Sequence, residues 1–260
     1  MSELEQAKTP FNERIRKQGI YLLPNSFTTA ALFGGFYAIV QAMNGKFDHA
    51  AVAIFISMVL DSLDGRVARL THTQSDFGAE YDSLSDMVSF GVAPALVMYQ
   101  WALQPLHKIG WMAAFIYAVC AALRLARFNT QIGVADKRWF TGLPSPAAAA
   151  LVAGSVWISI DNGFSPAQYP ALHWVALVVT LFAGLTMVTN VRFWSFKEVN
   201  MRRSVPFFVL LLLVLLILVI AYDAPIALFS LFVIYGLSGY VIAAWLWLKK
   251  GKQATPPAAD

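Results

Sequence analysis

Long apolar segments recur along this chain and decide what it can fold into. Eight runs of mainly apolar residues, most of them near the length of about 20 residues that a helix needs to cross hydrocarbon, alternate with short polar links. Backbone in lipid must satisfy its own hydrogen bonds, so these runs predict helices and not an open sheet. The predicted spans are about 26–43, 48–70, 79–102, 109–128, 145–160, 171–190, 205–222 and 225–248.

The overall composition agrees with a membrane protein. Hydrophobic residues make up 58% of the 260 positions and charged residues only 13%, a balance that excludes an ordinary soluble domain. The predicted fold class is all-α, a polytopic membrane helix bundle of about eight transmembrane helices. The single cysteine, Cys120, excludes a disulfide framework within the chain and a thiolate metal site.

The two ends of the chain differ from its apolar middle. Basic and apolar residues alternate over 11–23, which predicts a short amphipathic helix lying on the membrane surface, although a loose charged tail is the alternative. Three parts are therefore expected. They are a cytoplasmic tail with the interfacial helix (1–23), a transmembrane domain (24–250) and a disordered cytoplasmic tail (251–260).

The basic residues predict an orientation in the membrane. With the amino terminus inside and eight spans, 17 of the 19 lysine and arginine residues fall on the cytoplasmic side, and only Lys46 and Lys108 fall outside. Such a bias is typical of cytoplasmic loops. We therefore expect a multi-pass protein of the cell (inner) membrane with both termini in the cytoplasm. The net charge of +4 then reflects membrane orientation and does not indicate nucleic-acid binding.

Four aspartates interrupt two of the apolar segments. Ionisable residues at such a depth are costly and are usually functional. On a helix, Asp61 and Asp64 share one face with Ala68, while Asp82 and Asp86 share a face of the next segment with Gly78. The polar link 71–76 allows the two helices to stand antiparallel. The sequence therefore predicts that four carboxylates converge near the cytoplasmic surface.

Converging carboxylates predict a metal site. They repel one another unless a cation lies among them. Oxygen ligands favour Mg²⁺ or Mn²⁺. Two such ions could hold a phosphate that undergoes displacement. The alternative, acids that cap helix ends near an interface, suits Asp76 but not four acids on two matched faces.

The same residues belong to a longer pattern. It reads D-x2-D-G-x2-A-R-x8-G-x3-D-x3-D and is met at every fixed position: Asp61, Asp64, Gly65, Ala68, Arg69, Gly78, Asp82 and Asp86. In this the chain resembles the CDP-alcohol phosphotransferase family. The resemblance implies transfer of a phosphatidyl or similar group from a CDP-linked lipid to an alcohol, with release of CMP. It also implies that Asp61, Asp64 and Asp82 are metal ligands, and that Asp86 faces the metals and acts as general base.

The remaining residues of the pattern are expected to bind the nucleotide. Small residues allow the backbone to approach a ligand closely. The planar guanidinium of Arg69 suits the phosphates of CDP. Each glycine or alanine alone would suggest ordinary helix packing, and only the pattern favours binding. The predicted CDP-binding residues are Asp64, Gly65, Ala68, Arg69, Gly78 and Asn25.

Further stretches of the sequence indicate which alcohol is the acceptor. The segments 78–95, 124–129 and 140–149 resemble the integral-membrane phosphatidylserine synthases within the family, which implies L-serine as acceptor, CDP-diacylglycerol as donor and a homodimer. A cation is needed for the serine carboxylate, and Arg124 or Arg127 could supply it, although both also suit positive-inside anchoring. Glu80 could face the ammonium. The predicted serine-binding residues are Arg124, Arg127, Glu80, Asn129 and Ser145.

Two alternatives remain open at this point. The same chemistry could use another acceptor, such as glycerol 3-phosphate, an inositol phosphate or choline. A protein of another class, a cation transporter, could use the acid cluster as an ion site. Internal repeats are frequent in transporters, and none is evident here.

Overall fold

The computed structural model of the protein describes residues 11–71, 73–130, 139–195 and 207–253, and most of them are helical. In chain order the elements are α1 (Phe11–Met43), α2 (Phe47–Leu70), α3 (Asp76–Asp86), a first π-helical turn (Met87–Val92), α4 (Ala93–Met98), a second π-helical turn (Tyr99–Leu103), a 3-10 turn (Gln104–Leu106), α5 (His107–Thr130), β1 (Trp139–Thr141), α6 (Ser145–Asp161), α7 (Ala171–Val188), β2 (Arg192–Trp194), α8 (Phe207–Tyr222) and α9 (Ala224–Gln253). Every predicted apolar segment overlaps one of these helices.

Helix α1 corrects a predicted boundary. The sequence predicts a separate helix over 11–23 that ends before Pro24, whereas α1 continues through Pro24. A proline removes one helical hydrogen bond, and the packing of the following turns against α2 keeps the chain helical here. The position of 11–23 on the membrane surface stays a prediction, and residues 1–10 lie outside the described part. At the other end, α9 extends to Gln253, so the first three residues of the predicted tail are helical.

Helices α1 and α2 form a closely packed hairpin around small residues. Gly34 faces α2 so closely that a Cβ atom there would collide with the Ser57 hydroxyl. Gly35 faces the first π-helical turn, where a Cβ atom would lie 2.6 Å from the Cα of Ser89. The link between the helices turns at Gly45, whose φ of 73° is in the left-handed region that glycine adopts readily. Small residues thus let α1 contact two neighbours at once.

The segment from Asp76 to Leu103 is one long helix with two widened turns. Ser75 caps its start: the hydroxyl accepts a hydrogen bond from the backbone N–H of Gly78 at 3.1 Å. Each π-helical turn lies just ahead of a proline, Pro94 or Pro105. A proline ring offers no N–H and clashes with the carbonyl four residues earlier, and a widened turn relieves that clash. The chain then breaks at His107, with a φ of 49°.

Helix α6 lies at the centre of the bundle. Its alanine run, Ala147 to Ala150, is at most 5% exposed, and the helix packs against α2, α7 and α9. Small residues such as these alanines allow the neighbouring helices to approach closely.

A short sheet that the sequence does not predict anchors the start of α6. Strands β1 and β2 pair antiparallel, with Phe140 opposite Phe193. Gly142 follows β1 with a φ of 80°, and a Cβ atom there would collide with the Met187 carbonyl. The backbone N–H of Leu143 donates to the Thr186 carbonyl at 3.1 Å. Three-residue strands are too short for a periodic signal, so only the contact between the two loops reveals them.

The described residues contain four helical stretches that are long and apolar enough to cross a membrane. They are Pro24–Met43, Asp76–Thr130, Ala171–Val188 and Ala224–Lys249. The second stretch contains the break at His107 and holds two of the predicted segments. Helix α2 is not among the four because Asp48, Asp61, Asp64, Arg66 and Arg69 interrupt it. The mostly helical fold is confirmed, whereas the count of eight spans stays a prediction.

Candidate active site

Three carboxylates meet where the end of α2 faces α3. Asp61 and Asp64 come from α2 and Asp82 from α3, and one oxygen of each lies within 4.8 Å of the others. Asp64 is 5% exposed, while Asp61 and Asp82 are partly buried. The helical spacing of three and four residues puts these side chains on facing sides of the two helices. The structure thus brings together three of the four predicted acids.

Asp86 lies one turn beyond this trio on the inner side. Its carboxyl group is adjacent to that of Asp61 and interacts electrostatically with Asp82. It is not among the residues whose oxygens meet within 4.8 Å. The fourth acid is therefore next to the cluster, and it approaches the cluster from the interior of the bundle.

The trio has the composition of a cation site. One oxygen of Asp82, Oδ1, is buried without a hydrogen-bond partner among the described residues. A buried carboxylate oxygen is costly when it is unpaired, and a bound divalent cation would satisfy it. Three adjacent carboxylates match the oxygen ligands that Mg²⁺ and Mn²⁺ prefer. The residues present therefore fit a divalent metal ion.

Helix α1 contributes a residue that the sequence analysis missed. The hydroxyl of Thr28, which is 3% exposed, donates to Oδ2 of Asp64 at 2.7 Å. The hydroxyls of Ser85 and Ser89 donate to the carbonyls of Thr28 and Ala31 at 3.1 and 3.0 Å. These bonds tie the acids of α2 and α3 to α1. Hydroxyl residues inside otherwise apolar segments were the available signal, because buried hydroxyls need partners.

The predicted CDP-binding residues lie around the open side of the acids. A Cβ atom on Gly65 would meet only Nη1 of Arg69, at 3.6 Å, so the space beside Gly65 is open. Gly78 lies next to Asn25, since a Cβ atom on Gly78 would be 3.6 Å from Oδ1 of Asn25. Arg69 is exposed, and Ala68 is partly buried on the same helix. The structure therefore brings α1, α2 and α3 together at this edge.

Arg124 is a cationic side chain that interacts with the acids. It is 9% exposed, and its Nη1 donates to the hydroxyl of Ser145 at 2.6 Å. Its guanidinium interacts electrostatically with Asp86 and Asp61. Ser145 is fully buried at the start of α6, which the small sheet anchors. Two of the predicted serine-binding residues are thus in contact with each other, next to Asp86.

The other predicted serine-binding residues have different surroundings. Arg127 donates to the Val188 carbonyl at 3.5 Å and to Oδ1 of Asn190 at 2.6 Å, so it holds the loop after α7. The amide of Asn129 donates to the Ser83 hydroxyl at 3.0 Å. Glu80 is exposed on α3. Within the described part of the chain, the structure brings Arg124 and Ser145 to the acids but gives Arg127 another partner.

A model of the CDP-alcohol phosphatidyltransferase family matches residues 21–182. The chain belongs to this family. The matched segment runs from α1 into α7 and contains every predicted site residue, whereas α8 and α9 lie beyond it. Members of the CDP-alcohol phosphatidyltransferase family use divalent metal ions, in agreement with the aspartate trio.

Individual relatives within the CDP-alcohol phosphatidyltransferase family are also similar to this chain. A Helicobacter pylori protein named CDP-diacylglycerol–serine O-phosphatidyltransferase is 37% identical over 230 residues, which cover 88% of this chain and 93% of that protein. A Mycobacterium tuberculosis protein of the same name is 40% identical over 154 residues, 57% of this chain and 53% of its own. A Saccharomyces cerevisiae protein of that name is 39% identical over 139 residues, 48% and 50% of the two chains.

Proposed function

We propose that this protein transfers the phosphatidyl group of CDP-diacylglycerol to the hydroxyl of L-serine, giving phosphatidylserine and CMP. The observation that carries the proposal is the aspartate trio of Asp61, Asp64 and Asp82 with Asp86 beside it. Family membership supports the reaction type. The names of relatives from a bacterium and a yeast support serine as the acceptor.

In this proposal, Asp86 is the general base. The serine hydroxyl must lose its proton as its oxygen attacks phosphorus, and a positioned carboxylate can accept that proton. The new oxygen–phosphorus bond forms as the bond between that phosphorus and the bridging oxygen breaks, and CMP leaves with the electron pair. The position of Asp86 beside the trio supports this role, because the base must reach the hydroxyl that attacks the phosphate at the metal site.

Asp61, Asp64 and Asp82 would hold the divalent metal, which we propose to be two Mg²⁺ or Mn²⁺ ions with Asp86 facing them. Bound cations there would neutralise charge on the attacked phosphate. Thr28 would orient Asp64 through their 2.7 Å hydrogen bond, as residues behind metal ligands commonly do. The buried oxygen of Asp82 without a partner supports this assignment.

The nucleotide would lie along the open edge of the site. Gly65, Ala68 and Gly78 leave room for its approach, Arg69 would contact the phosphates, and Asn25 would reach it from α1. The open space beside Gly65 and the proximity of Asn25 to Gly78 support this placement.

The serine carboxylate would be bound by Arg124. Its guanidinium is buried, so its attraction for an anion is screened less than at the surface. Since Arg124 interacts with Asp86, one serine molecule can face the cation with its carboxylate and the base with its hydroxyl. Ser145 would hold the guanidinium in place, while Glu80, Asn129 and Arg127 stay predicted contributors.

The proposal includes a placement in the membrane. We propose a homodimer in the cell (inner) membrane with eight spans, an interfacial helix at 11–23, both termini in the cytoplasm and the active site near the cytoplasmic face. The site residues support it, because they lie at or near the starts of the predicted spans 26–43, 79–102 and 145–160 and the ends of the predicted spans 48–70 and 109–128. In an alternating bundle these ends lie on one side.

The test is CMP release by the protein purified in detergent, with CDP-diacylglycerol and Mn²⁺. Serine is compared with glycerol 3-phosphate, an inositol phosphate and choline. Release that depends on serine is expected. Release with another alcohol would support the proposed role of the acids but show that serine is not the acceptor. Absence of release with every alcohol, in folded protein, would contradict the proposed reaction and leave the transporter as the rival.

A further inference from the structure

A buried hydrogen bond links α5 to the first π-helical turn, directly after Asp86. The hydroxyl of Tyr117 donates to the backbone carbonyl of Phe90 at 3.0 Å. Both residues are fully buried. Buried tyrosine hydroxyls need a partner, but this one reaches into the backbone of a neighbouring helix instead of a side chain.

The sequence explains why that carbonyl accepts a bond from outside its helix. In an α-helix the carbonyl of Phe90 would accept from the N–H of residue 94, and residue 94 is a proline without one. The turn widens here, so that the N–H of Ala93 bonds to the carbonyl of Val88, five residues earlier. Tyr117 thus supplies the donor that Pro94 cannot.

The widened turn sets the direction of the acids on α3. It occupies Met87–Val92, immediately after Asp86. Residues in an α-helix are about 100° apart around the axis, so one extra residue in a turn rotates everything before it relative to everything after it. If the turn returned to α-helical geometry, Asp82 and Asp86 would rotate away from Asp61 while α4 stayed packed.

The same face of α5 carries Arg124. Tyr117, Ala121 and Arg124 follow helical spacing of four and three residues, which places them on one side of α5. Next to this face lies Gly91, where a Cβ atom would be 3.2 Å from the Cβ of Ala121. One face of α5 therefore contacts the π-helical turn and also carries the guanidinium of Arg124, which interacts with Asp86.

We propose that Tyr117 is a positioning residue for phosphatidyl transfer, fixing the π-helical turn after Asp86 so that Asp82 and Asp86 face Asp61. This inference rests on the proposed function, because it concerns the geometry of the same acids. Tyr117 itself touches neither substrate nor metal in this proposal and acts only through the backbone of Phe90.

The test is Tyr117→Phe, which removes one oxygen and keeps the ring. We expect kcat to fall about 10- to 100-fold, the range typical of residues that orient metal ligands, with the KM for serine unchanged. Mn²⁺ binding in the absence of substrates, measured by electron paramagnetic resonance of the free ion, should weaken. The matched control is Tyr240→Phe, whose hydroxyl lies 2.8 Å from that of Thr186, between α9 and α7. This control should keep wild-type kcat and Mn²⁺ binding.

A second variant tests the route through Phe90. Pro94→Ala supplies a backbone N–H at position 94, so the Phe90 carbonyl no longer depends on Tyr117. In the Pro94→Ala background, Tyr117→Phe should lower kcat by a smaller factor than it does in the wild-type background. Equal factors in the two backgrounds would overturn the proposed route.

The outcomes separate this inference from the proposed function. If wild-type protein releases CMP and Tyr117→Phe matches it in kcat and Mn²⁺ binding, the positioning role is wrong and the function stands. In a second outcome, Tyr117→Phe loses thermal stability or fails to fold while Tyr240→Phe folds normally. If the kcat of Tyr117→Phe per folded molecule is then unchanged or unmeasurable, the hydrogen bond is structural and the inference fails. If the wild type releases no CMP, the function itself fails.

Discussion

Asp86 differs from the other three acids in its neighbours. Asp61, Asp64 and Asp82 form a trio around a shared point, whereas Asp86 lies beside Asp61 and interacts electrostatically with the guanidinium of Arg124. A carboxylate used as a base must be free to accept a proton from a substrate. The division of labour that we propose, three ligands and one base, follows from this difference in surroundings.

Replacing Asp86 by asparagine is expected to abolish turnover. An amide has nearly the same size but cannot accept a proton as a carboxylate does. CDP-diacylglycerol binding, measured by calorimetry in detergent, should persist because the trio and the nucleotide edge are unchanged. The matched control is Asp76→Asn, on the exposed first turn of α3. Turnover of Asp86→Asn at the wild-type rate would contradict the general-base role.

The two candidate arginines are separated by their contacts. Arg124 is buried and bonded to Ser145, whereas Arg127 is bonded to the loop after α7. A guanidinium already committed to Asn190 and a backbone carbonyl is less available to an incoming carboxylate. These contacts therefore favour Arg124 as the residue that would bind the carboxylate of the acceptor.

Replacing Arg124 by alanine is expected to raise the KM for serine about 10- to 100-fold, because a hydrogen bond to a charged group contributes about 1.5–3 kcal/mol. The comparison is Arg127→Ala, which should lower thermal stability through the loop and raise that KM by a much smaller factor. Steady-state kinetics with varied serine measures both. A higher KM only in Arg127→Ala would assign the carboxylate to Arg127 instead.

At the scale of elements, α1 is the support of the site. It bonds to Asp64 through Thr28, accepts bonds from Ser85 and Ser89, and packs against α2 at Gly34. These contacts involve small residues and hydroxyls, which lack the bulk of a typical core. Close approach of the backbones is therefore what keeps the acids of α2 and α3 in register.

Replacing Gly35 by alanine is expected to separate α1 from the first π-helical turn. The new Cβ atom would lie 2.6 Å from the Cα and hydroxyl of Ser89, and such overpacking costs about 1–3 kcal/mol. Thermal unfolding in detergent should shift to lower temperature, and activity should fall with it. In the control, Gly236→Ala on α9, the new Cβ atom would meet a flexible Leu151 methyl at 3.2 Å and the Phe182 ring at an ordinary contact distance of 3.8 Å. Unchanged stability of Gly35→Ala would contradict the close packing.

For the whole molecule, we propose that the active site and most of the positive charges lie on the same side of the membrane. Along the chain, the site residues alternate between the starts and the ends of the predicted spans, in the order expected for a bundle that crosses a membrane at each span. Lysine and arginine residues are concentrated at those same ends. Both observations favour an active site that opens to the cytoplasm.

Cysteine labelling in intact cells would test this topology. In a Cys120→Ala background, Asn44→Cys and Asn162→Cys are expected to react with a membrane-impermeant thiol reagent, because both lie in exposed turns on the predicted outer side. Gln74→Cys, in the exposed link beside the acids, should react only after the cells are opened. Labelling of Gln74→Cys in intact cells would contradict the proposed orientation.

The helices and the acid cluster could be predicted from local patterns in the sequence. Apolar runs located the helical segments, and the spacing of Asp61, Asp64 and Asp82 predicted their convergence, because helical periodicity is a local property that a linear pattern records. The family pattern was readable for the same reason, since its fixed positions lie on two consecutive helices. The continuation of α1 through Pro24 could not be predicted, because the packing that keeps this segment helical is not local.

Which distant residues support those acids depended on how the helices pack together. Thr28, Arg124, Ser145 and Tyr117 come from three further helices, and no spacing relates them to Asp64 or Asp86. The choice between Arg124 and Arg127, three residues apart on one helix, depended on which side of α5 faces the site. The small sheet likewise arose from contact between two loops. Contacts between separate elements depend on packing in three dimensions, which a pattern along one chain does not contain.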